Sequence, residues 1–243
     1  MNLHGANVLI TGGAHRLGRA IGLRLAEAGA NVAFTYLASA DAARQTQREL
    51  EQRGARALAL RADAADDRQV ARVVSRVRRT LGGIDLFVAN AGVFRRTPLA
   101  AATPADWDDM LRLNFAVMRV PALRVGALMR RQGHGAIVAL TDISAHAPWA
   151  DYLPYCIAKR AVAALTVQLA RRLAPAVRVN AIAPGPVLMP DDFPAAARRS
   201  EIRRTLLRRE GSAADIAAAV QYLAEADYVT GVVLPVDGGR RFG

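Results

Sequence analysis

A regular alternation of short apolar runs with longer segments of helical periodicity is the strongest constraint on the fold. Seven runs have the length and apolar content of buried strands, at residues 7–11, 31–36, 55–60, 84–90, 135–140, 177–182 and 232–236. Helical periodicity covers residues 17–28, 40–53, 67–81, 104–131, 152–173 and 213–225. Because this order is typical of β-α-β units, it predicts an α/β fold with one doubly wound, seven-stranded parallel sheet of the Rossmann type and helices on both faces.

Length and composition indicate a single domain over residues 1–243. The chain is 52% hydrophobic, and no shift in composition suggests a linker. No apolar run approaches the ~20 residues that a membrane helix needs, so we expect no membrane partner. We also expect no secretory segment at the start of the chain. The single cysteine, Cys156, excludes an internal disulfide and is typical of a cytoplasmic protein.

The net charge of +12 raises the question of an anionic partner. The arginines are spread over many predicted helices, interleaved with Ala, Asp and Glu, and aromatic residues are only 5% of the chain. A nucleic-acid-binding surface usually concentrates its cations and stacks bases on aromatic rings. We therefore favour solvated, arginine-rich helix faces over a nucleic-acid partner, with a few arginines attracting an anionic cofactor or substrate.

Lys159 is the only lysine among the 33 Lys and Arg residues, and it follows Tyr155 by four positions. On a helix this spacing places both side chains on one face. A nearby ammonium favours the phenolate, so we expect Lys159 to lower the pKa of Tyr155 toward neutrality and make it a usable acid or base. The alternative is that a lone lysine falls here by chance.

A glycine-rich turn follows the first predicted strand and precedes the first predicted helix. Such a turn brings backbone N–H groups and a helix N-terminus to a pyrophosphate. Arg16 stands where such turns often have another glycine, and it either projects a cation toward the phosphates or is a surface residue of the helix start. The predicted cofactor residues of this turn are Gly12, His15, Arg16, Leu17 and Gly18.

The second predicted strand ends without the acidic residue that a site for NAD would place there for the ribose 2′-hydroxyl. Tyr36, Ser39 and nearby cations can bind a 2′-phosphate instead. The sequence therefore predicts NADP(H) as the cofactor, with NADPH preferred over NADH.

The third and fourth predicted strands also end in candidate ligand contacts. Asp63 either accepts a hydrogen bond from an adenine amino group or caps the next helix. Asn90, Ala91 and Gly92 are small or polar residues that let a ligand approach the backbone. Phe94, two residues further on, is either a lid over a flat ligand or part of the core.

Together these motifs resemble the short-chain dehydrogenase/reductase family along essentially the whole chain. The matching residues are Thr11-Gly12-Gly13 with Gly18, Asn90-Ala91-Gly92, Asn114, Tyr155 with Lys159, Pro184-Gly185 and Val236-Asp237-Gly238-Gly239. The resemblance implies that Tyr155 donates a proton, that Lys159 holds the nicotinamide ribose, and that Asn114 positions a relay water. Pro184 and Gly185 are then cofactor contacts. The resemblance also implies a homotetramer and a substrate lid at about residues 186–210.

The chain departs from that family at one catalytic position. The family usually has a serine thirteen residues before the tyrosine, and here the residue is Asp142. Asp142, Arg16 and Phe94 together resemble the pteridine reductase branch, which includes reductases of dihydrofolate and dihydropterins. The resemblance implies a pterin as the small-molecule substrate. Its predicted contacts are Arg16, Phe94, Asp142, Tyr155 and Leu188.

The sequence thus predicts an enzyme, an NADPH-dependent reductase that transfers hydride to a pteridine-type substrate while Asp142 and Tyr155 handle protons. An ionised carboxylate would repel the alkoxide formed from a ketone, whereas pterin N–H groups can donate to it. Desolvation would raise the pKa of Asp142 and let it pass a proton. One alternative is a carbonyl or 3-oxoacyl-type reductase or alcohol dehydrogenase that uses Ser144; another is a non-catalytic NADP(H)-sensing protein. The histidines show no metal-ligand spacing, so we expect no metal.

Overall fold

The computed structural model of the protein describes residues 1–190 and 193–243. Its strands are β1 (Asn7–Ile10), β2 (Asn31–Tyr36), β3 (Ala57–Arg61), β4 (Leu86–Ala89), β5 (Ala136–Leu140), β6 (Arg178–Pro184) and β7 (Val233–Val236). They form one sheet in the order β3-β2-β1-β4-β5-β6-β7, and every neighbouring pair is parallel. The predicted seven-stranded, doubly wound fold is confirmed.

The α-helices of the described residues connect these strands. They are α1 (Arg16–Glu27), α2 (Ala40–Glu51), α3 (Asp67–Leu81), α4 (Pro104–Leu111), α5 (Val117–Gln132), α6 (Leu153–Leu173), α7 (Ala195–Arg203) and α8 (Ala213–Glu225). None of the helices in residues 1–190 and 193–243 is long and apolar enough to cross a membrane.

Alternate residues of each strand supply two separate apolar layers, because successive side chains point to opposite faces of a sheet. In β1, Val8 and Ile10 pack in the layer that includes residues of α1, α2 and α8. Leu9 packs in the opposite layer, with residues of α3, α5 and α6. The sheet is therefore covered on both faces and forms the core of a single domain.

The order of the strands creates a crevice next to β1. This strand lies between β2 and β4, so the chain winds outward in opposite directions from this point. In such sheets ligands bind outside the carboxyl ends of the strands at this switch point. We therefore expect a ligand site at the loops that follow β1, β2, β4, β5 and β6.

The structure differs from the sequence prediction in two connecting regions. The helix predicted over 104–131 is interrupted by a π-helical turn, Arg112–Ala116, between α4 and α5. The predicted lid, about 186–210, contains only one short helix, α7, in its described residues. Residues 191 and 192 of the predicted lid lie outside the described residues.

Candidate active site

A cavity of about 820 Å³ opens at the carboxyl edge of the sheet. All the predicted site residues line it: Gly12, His15, Arg16, Leu17, Gly18, Tyr36, Ser39, Asp63, Asn90, Ala91, Gly92, Phe94, Asn114, Asp142, Tyr155, Lys159, Pro184, Gly185 and Leu188. These residues come from loops spread over most of the chain. The structure therefore brings the predicted residues into one site, and their individual roles remain predictions.

The N-terminus of α1 has the donors that an anionic cofactor needs. His15, its N-cap residue, makes no side-chain cap, and the first turn contains no acidic residue. By contrast, side chains of Asp66, Thr103 and Ser212 cap α3, α4 and α8. The first N–H groups of α1 therefore lack a side-chain acceptor, and together with the positive end of the helix dipole they suit a pyrophosphate.

The turn before α1 is held by close packing of its glycines. Gly12 adopts a φ of +68°, in the left-handed region. The Asn90 Nδ2 donates to the backbone oxygens of Thr11, at 3.0 Å, and of Gly12, at 2.9 Å. A Cβ on Gly18 would overlap the Gly12 carbonyl oxygen and lie 2.7 Å from Asn90 Nδ2. Asn90 thus holds the end of β4 against the turn that precedes α1.

Arg16 reaches across the mouth of the cavity. Its φ of +50° is a conformation that favours glycine, which explains why glycine is common at this place in such turns. The guanidinium donates to the carbonyl oxygen of Leu188, itself at φ +49°. Arg16 therefore joins the phosphate-binding turn to the loop that precedes α7. Its contacts with cofactor phosphates and substrate remain predictions.

The end of β2 has no acidic side chain, and a cation of the neighbouring strand β3 lies beside it. Arg61 of β3 pairs in register with Tyr36, and its Nε donates to the Leu37 carbonyl oxygen at 3.1 Å. Asp63 does not cap α3, because Asp66 accepts from Arg68 N and Gln69 N at that helix start. Asp63 instead accepts from Ala65 N at 2.8 Å. Of the two roles predicted for Asp63, helix capping is wrong.

Tyr155 and Asp142 form a hydrogen-bonded pair at the cavity wall. The Tyr155 hydroxyl donates to Asp142 Oδ2 at 2.9 Å, and the backbone N–H of Ser144 donates to Asp142 Oδ1 at 2.7 Å. Burial raises the pKa of the Asp142 carboxyl above its usual range, although the hydrogen bonds from Ser144 and Tyr155 and the charge of Lys159 oppose that shift. The expected rise in the pKa of Asp142 is confirmed.

Lys159 does not act on Tyr155 as the sequence predicted. Its Nζ donates to the Leu140 carbonyl oxygen at 3.1 Å and lies 5.7 Å from the Tyr155 ring centroid. Burial, followed by the charge of Asp142, raises the pKa of Tyr155 well above its usual value. The prediction of a lowered pKa for Tyr155 is therefore wrong here, and the phenol is neutral at pH 7. Burial lowers the pKa of Lys159 itself to about 8.

The π-helical turn places Asn114 in the site. Asn114 is buried, its Oδ1 accepts from Val93 N at 3.1 Å, and its Nδ2 donates to the Met110 carbonyl oxygen at 3.3 Å. A Cβ on Gly92 would lie 2.9 Å from Asn114 Oδ1. Asn114 thus holds the loop after β4 close to the cavity floor. π-helical turns occur frequently at functional sites.

An aromatic wall formed by Phe94, Trp149, Tyr152 and Tyr155 lines one part of the cavity. Phe94 stacks on Tyr152, with ring centroids 4.6 Å apart and planes at 13°. It meets the rings of Tyr155 and Trp149 edge-on, at 5.2 and 6.0 Å. Trp149 and Tyr152 were not predicted as site residues, although both lie between Asp142 and Lys159. Glu201, which lines the cavity from α7, was not predicted either, because it carries no local sequence signal.

Ser144 is buried and does not line the cavity. The carbonyl-reductase alternative therefore has to use Asp142 rather than Ser144 beside the tyrosine. Among residues 1–190 and 193–243, no three His, Cys, Asp or Glu side chains converge as a metal site would require.

Comparison with known proteins places the chain in a family. The family described as Enoyl-(Acyl carrier protein) reductase matches residues 12–241. A 3-oxoacyl-[acyl-carrier-protein] reductase of Staphylococcus epidermidis is 33% identical over 242 residues, which are 96% of this chain and 98% of that protein. A Serratia marcescens short-chain dehydrogenase/reductase variant, 34% identical, has a TM-score of 0.92 over 99% of this chain and 100% of its own. The chain belongs to the short-chain dehydrogenase/reductase family.

Membership of this family makes the protein an oxidoreductase that uses a nicotinamide cofactor. By their names these relatives are not pteridine reductases, so the comparisons support the family and not the pteridine branch. Two structural neighbours differ in the cofactor that their names give. One is an NADPH-dependent 3-quinuclidinone reductase of Rhodotorula rubra, 27% identical, TM-score 0.89, covering 100% of this chain and 93% of its own. The other is an NAD⁺-bound xylitol dehydrogenase, 26% identical, TM-score 0.88, covering 98% and 100%.

Proposed function

We propose that the protein reduces a carbonyl group of a small-molecule substrate, as a carbonyl or 3-oxoacyl-type reductase does. The observation that carries the proposal is the 2.9 Å hydrogen bond between Tyr155 and Asp142 at the wall of a cavity large enough for a dinucleotide and a substrate. The 3-oxoacyl reductase relative, 33% identical over nearly its whole length, supports a carbonyl substrate.

The nicotinamide cofactor, when bound, supplies the hydride. The N–H groups at the start of α1 would bind its pyrophosphate, and Lys159 at the cavity floor would contact its ribose. Tyr155 is neutral at pH 7, so it can donate its proton to the substrate oxygen as negative charge develops there.

Asp142 takes part in this reaction in its protonated form. A protonated carboxyl has one O–H donor, as a serine hydroxyl does, and can donate to the same oxygen. Burial of the Asp142 carboxyl favours the neutral acid over the carboxylate. The repulsion between an ionised carboxylate and an alkoxide, the main objection to a carbonyl substrate, does not apply to the neutral acid.

A pteridine substrate is the second candidate, and the carboxyl at position 142 favours it. A pterin offers N–H and amino donors that an Asp142 carboxylate can accept, and its C=N bond needs a proton at nitrogen. The aromatic wall beside Tyr155 also suits a flat ring system. The fold and the cofactor site are the same for both candidates.

A substrate panel separates the two candidates. NADPH oxidation by the purified protein is measured with 3-oxoacyl thioesters and ketones, and in parallel with dihydrobiopterin and dihydrofolate. We expect turnover of carbonyl compounds; turnover of the pterins alone would contradict the proposal and establish the second candidate. Tyr155→Phe should lower the rate by about 10²-fold or more. A Tyr155→Phe variant without any kinetic loss would instead indicate a non-catalytic, cofactor-sensing protein.

We further propose that the cofactor is NADPH. The end of β2 has no acidic side chain, while Arg61, which pairs in register with Tyr36, supplies positive charge there. Leu37, which is 55% exposed, is the position for a test. Leu37→Asp should weaken NADPH binding about tenfold or more, because the new carboxylate repels the 2′-phosphate. The same carboxylate can accept a hydrogen bond from the ribose 2′-hydroxyl of NADH. Fluorescence titration with NADPH and NADH measures both affinities, and equal affinities in the parent protein would contradict the proposal.

A further inference from the structure

Arg240 is a buried cation that does not line the cavity. Only 3% of its surface is exposed, and it lies in the C-terminal tail, residues 237–243, just after β7. Buried arginines require partners, and this one has a carboxylate. The Nε of Arg240 donates to Glu201 Oε2 at 2.7 Å, and its Nη2 donates to Glu201 Oε1 at 3.3 Å. Two parallel hydrogen bonds of this kind fix the orientation of both side chains.

Glu201 connects this pair to the active-site cavity. It lies on α7 and lines the cavity that also contains Tyr155 and Tyr152. A second arginine, Arg204, approaches Glu201 Oε1 at 3.6 Å. The Glu201 carboxylate thus pairs with two arginines and is partly open to the cavity. Its remaining lone pairs can accept hydrogen bonds from a bound molecule.

The C-terminal tail and the segment after α7 pack closely around this ion pair. Leu207 N donates to the Gly238 carbonyl oxygen at 3.1 Å. A Cβ on Gly239 would lie 2.7 Å from Leu206 Cδ1, so a side chain does not fit at this position. Arg240 Nη1 also donates to the Gly243 carbonyl oxygen at 3.1 Å. Hydrogen bonds therefore join the tail to α7 and to the segment that follows it.

We propose that Arg240 is a positioning residue that holds α7 against the cavity, so that Glu201 selects substrates with an N–H or O–H donor away from the reacting carbon. This inference rests on the proposed reductase function but adds a specificity determinant, Glu201, to it. Arg240 itself does not line the cavity. It acts on the substrate only through Glu201.

The test compares Arg240→Ala, Arg240→Lys, Glu201→Gln and the double variant Arg240→Ala/Glu201→Gln, with Arg241→Ala as the matched control. Arg241 is the exposed neighbour, with its guanidinium over the Phe242 ring. We expect Arg240→Ala and Glu201→Gln each to raise KM about tenfold for donor-bearing substrates, with kcat and the Kd of NADPH within about twofold of the parent. Arg240→Lys should show a smaller rise in KM than Arg240→Ala. The double variant should have a KM no higher than that of Arg240→Ala, because both substitutions break the same Arg240–Glu201 ion pair.

Hydrogen exchange of α7 in the NADPH complex supplies a readout that needs no turnover. Arg240→Ala should speed exchange in peptides covering α7, and Arg241→Ala should not. If Arg240→Ala changed neither the exchange of α7 nor KM, the proposal would be overturned. Faster exchange of α7 in Arg240→Ala with an unchanged preference for donor-bearing substrates would overturn it as well. If no tested compound is reduced by the parent protein, the proposed function fails, and the exchange measurement still decides whether Arg240 holds α7.

Discussion

At the scale of single residues, the carboxyl group of Asp142 distinguishes this chain from the usual pattern of its family. It accepts the Tyr155 hydroxyl and the Ser144 backbone N–H, and burial raises its pKa. A carboxyl group in this environment can act as a donor when protonated and as an acceptor when ionised. Substrate choice therefore depends on which form binds.

Replacing Asp142 by serine gives opposite results for the two candidate substrates. If the substrate is a carbonyl compound, Asp142→Ser should keep the activity within about threefold, because the hydroxyl donates to the same oxygen. If it is a pterin, the loss of the acceptor carboxylate should reduce kcat/KM by about 10²-fold or more. Asp142→Ala is the control and should lose activity in both cases. Steady-state kinetics on the preferred substrate measure all three variants.

The depressed pKa of Lys159 predicts how stability depends on pH. The pKa falls from 10.5 in the unfolded chain to about 8 in the folded protein, so the unfolded state binds more protons between these values. The free energy of unfolding should therefore rise as the pH increases from about 8 to about 9.5, by on the order of 2 kcal/mol. This contribution is lost as the pH falls through about 8.

Urea unfolding at several pH values measures this rise. Lys159→Met is the matched control, since it removes the titrating group and should remove the rise. Lys159 is the only lysine, so no other lysine titrates in this window. A parent protein whose stability is flat or falls between these pH values would contradict the assigned burial of the ammonium.

The sequence located the candidate site well but not the electrostatics within it. Gly18, Asn114 and Tyr155 belong to motifs whose positions follow from chain order, and all three line the cavity. The pKa of Tyr155 depends instead on where the Lys159 ammonium points, and it points at the Leu140 carbonyl oxygen. Spacing on a helix shows that two side chains share a face, but it does not show which acceptor a flexible lysine chooses.

At the scale of secondary structure elements, the seven strands were predicted within a few residues because each is a short apolar run. The π-helical turn before α5 was not predicted, since the pattern of apolar residues continues through Arg112–Ala116 without a break. The Asn114 side chain in this turn accepts from Val93 N, 21 positions away, and local periodicity carries no information about that contact. Likewise, α7 is tied through Glu201 to Arg240, 39 positions along the chain, and local periodicity carries no information about that contact.

Two glycines of α1 give a matched test of its N-terminal packing. Gly18→Ala should weaken NADPH binding by tenfold or more and lower the melting temperature, because the new Cβ overlaps the Gly12 carbonyl oxygen. At Gly22 the nearest atom to a new Cβ, Ile10 Cδ1, is at 3.6 Å, so Gly22→Ala has room and should stabilise the helix by up to about 1 kcal/mol. Thermal melting and NADPH titration of both variants measure the difference. Similar binding by both would contradict the proposed phosphate contact.

At the scale of the whole molecule, exposed apolar side chains on α5 and α6 support the homotetramer that the family resemblance implies. Leu123 on α5 and Ile157 and Val167 on α6 are 47%, 43% and 38% exposed. We expect light scattering after size-exclusion chromatography to give a mass of about four chains. Ile157→Asp should shift the mass toward smaller species, because burying an unpaired charge at an interface is unfavourable.

The control for that measurement is a substitution at an exposed apolar residue elsewhere. Leu99 is 64% exposed and lies in the 3₁₀ turn Leu99–Ala101, outside α5 and α6. Leu99→Asp should leave the mass unchanged. A monomeric parent protein, or equal effects of both substitutions, would contradict an interface formed by α5 and α6.

The single ammonium side chain at the floor of the cavity makes the active site chemically addressable. Reductive methylation with ¹³C-labelled formaldehyde modifies only amines, and here these are Lys159 and the chain's own α-amino group. An NMR spectrum of the labelled protein would contain one side-chain resonance, and it would come from the candidate active site. Because the pKa of this amine is about 8, its chemical shift should respond to pH near neutrality and to the arrival of a cofactor. Because arginine supplies every other Lys or Arg charge of the chain, the labelled Lys159 is a spectroscopic probe of ligand binding in the cavity.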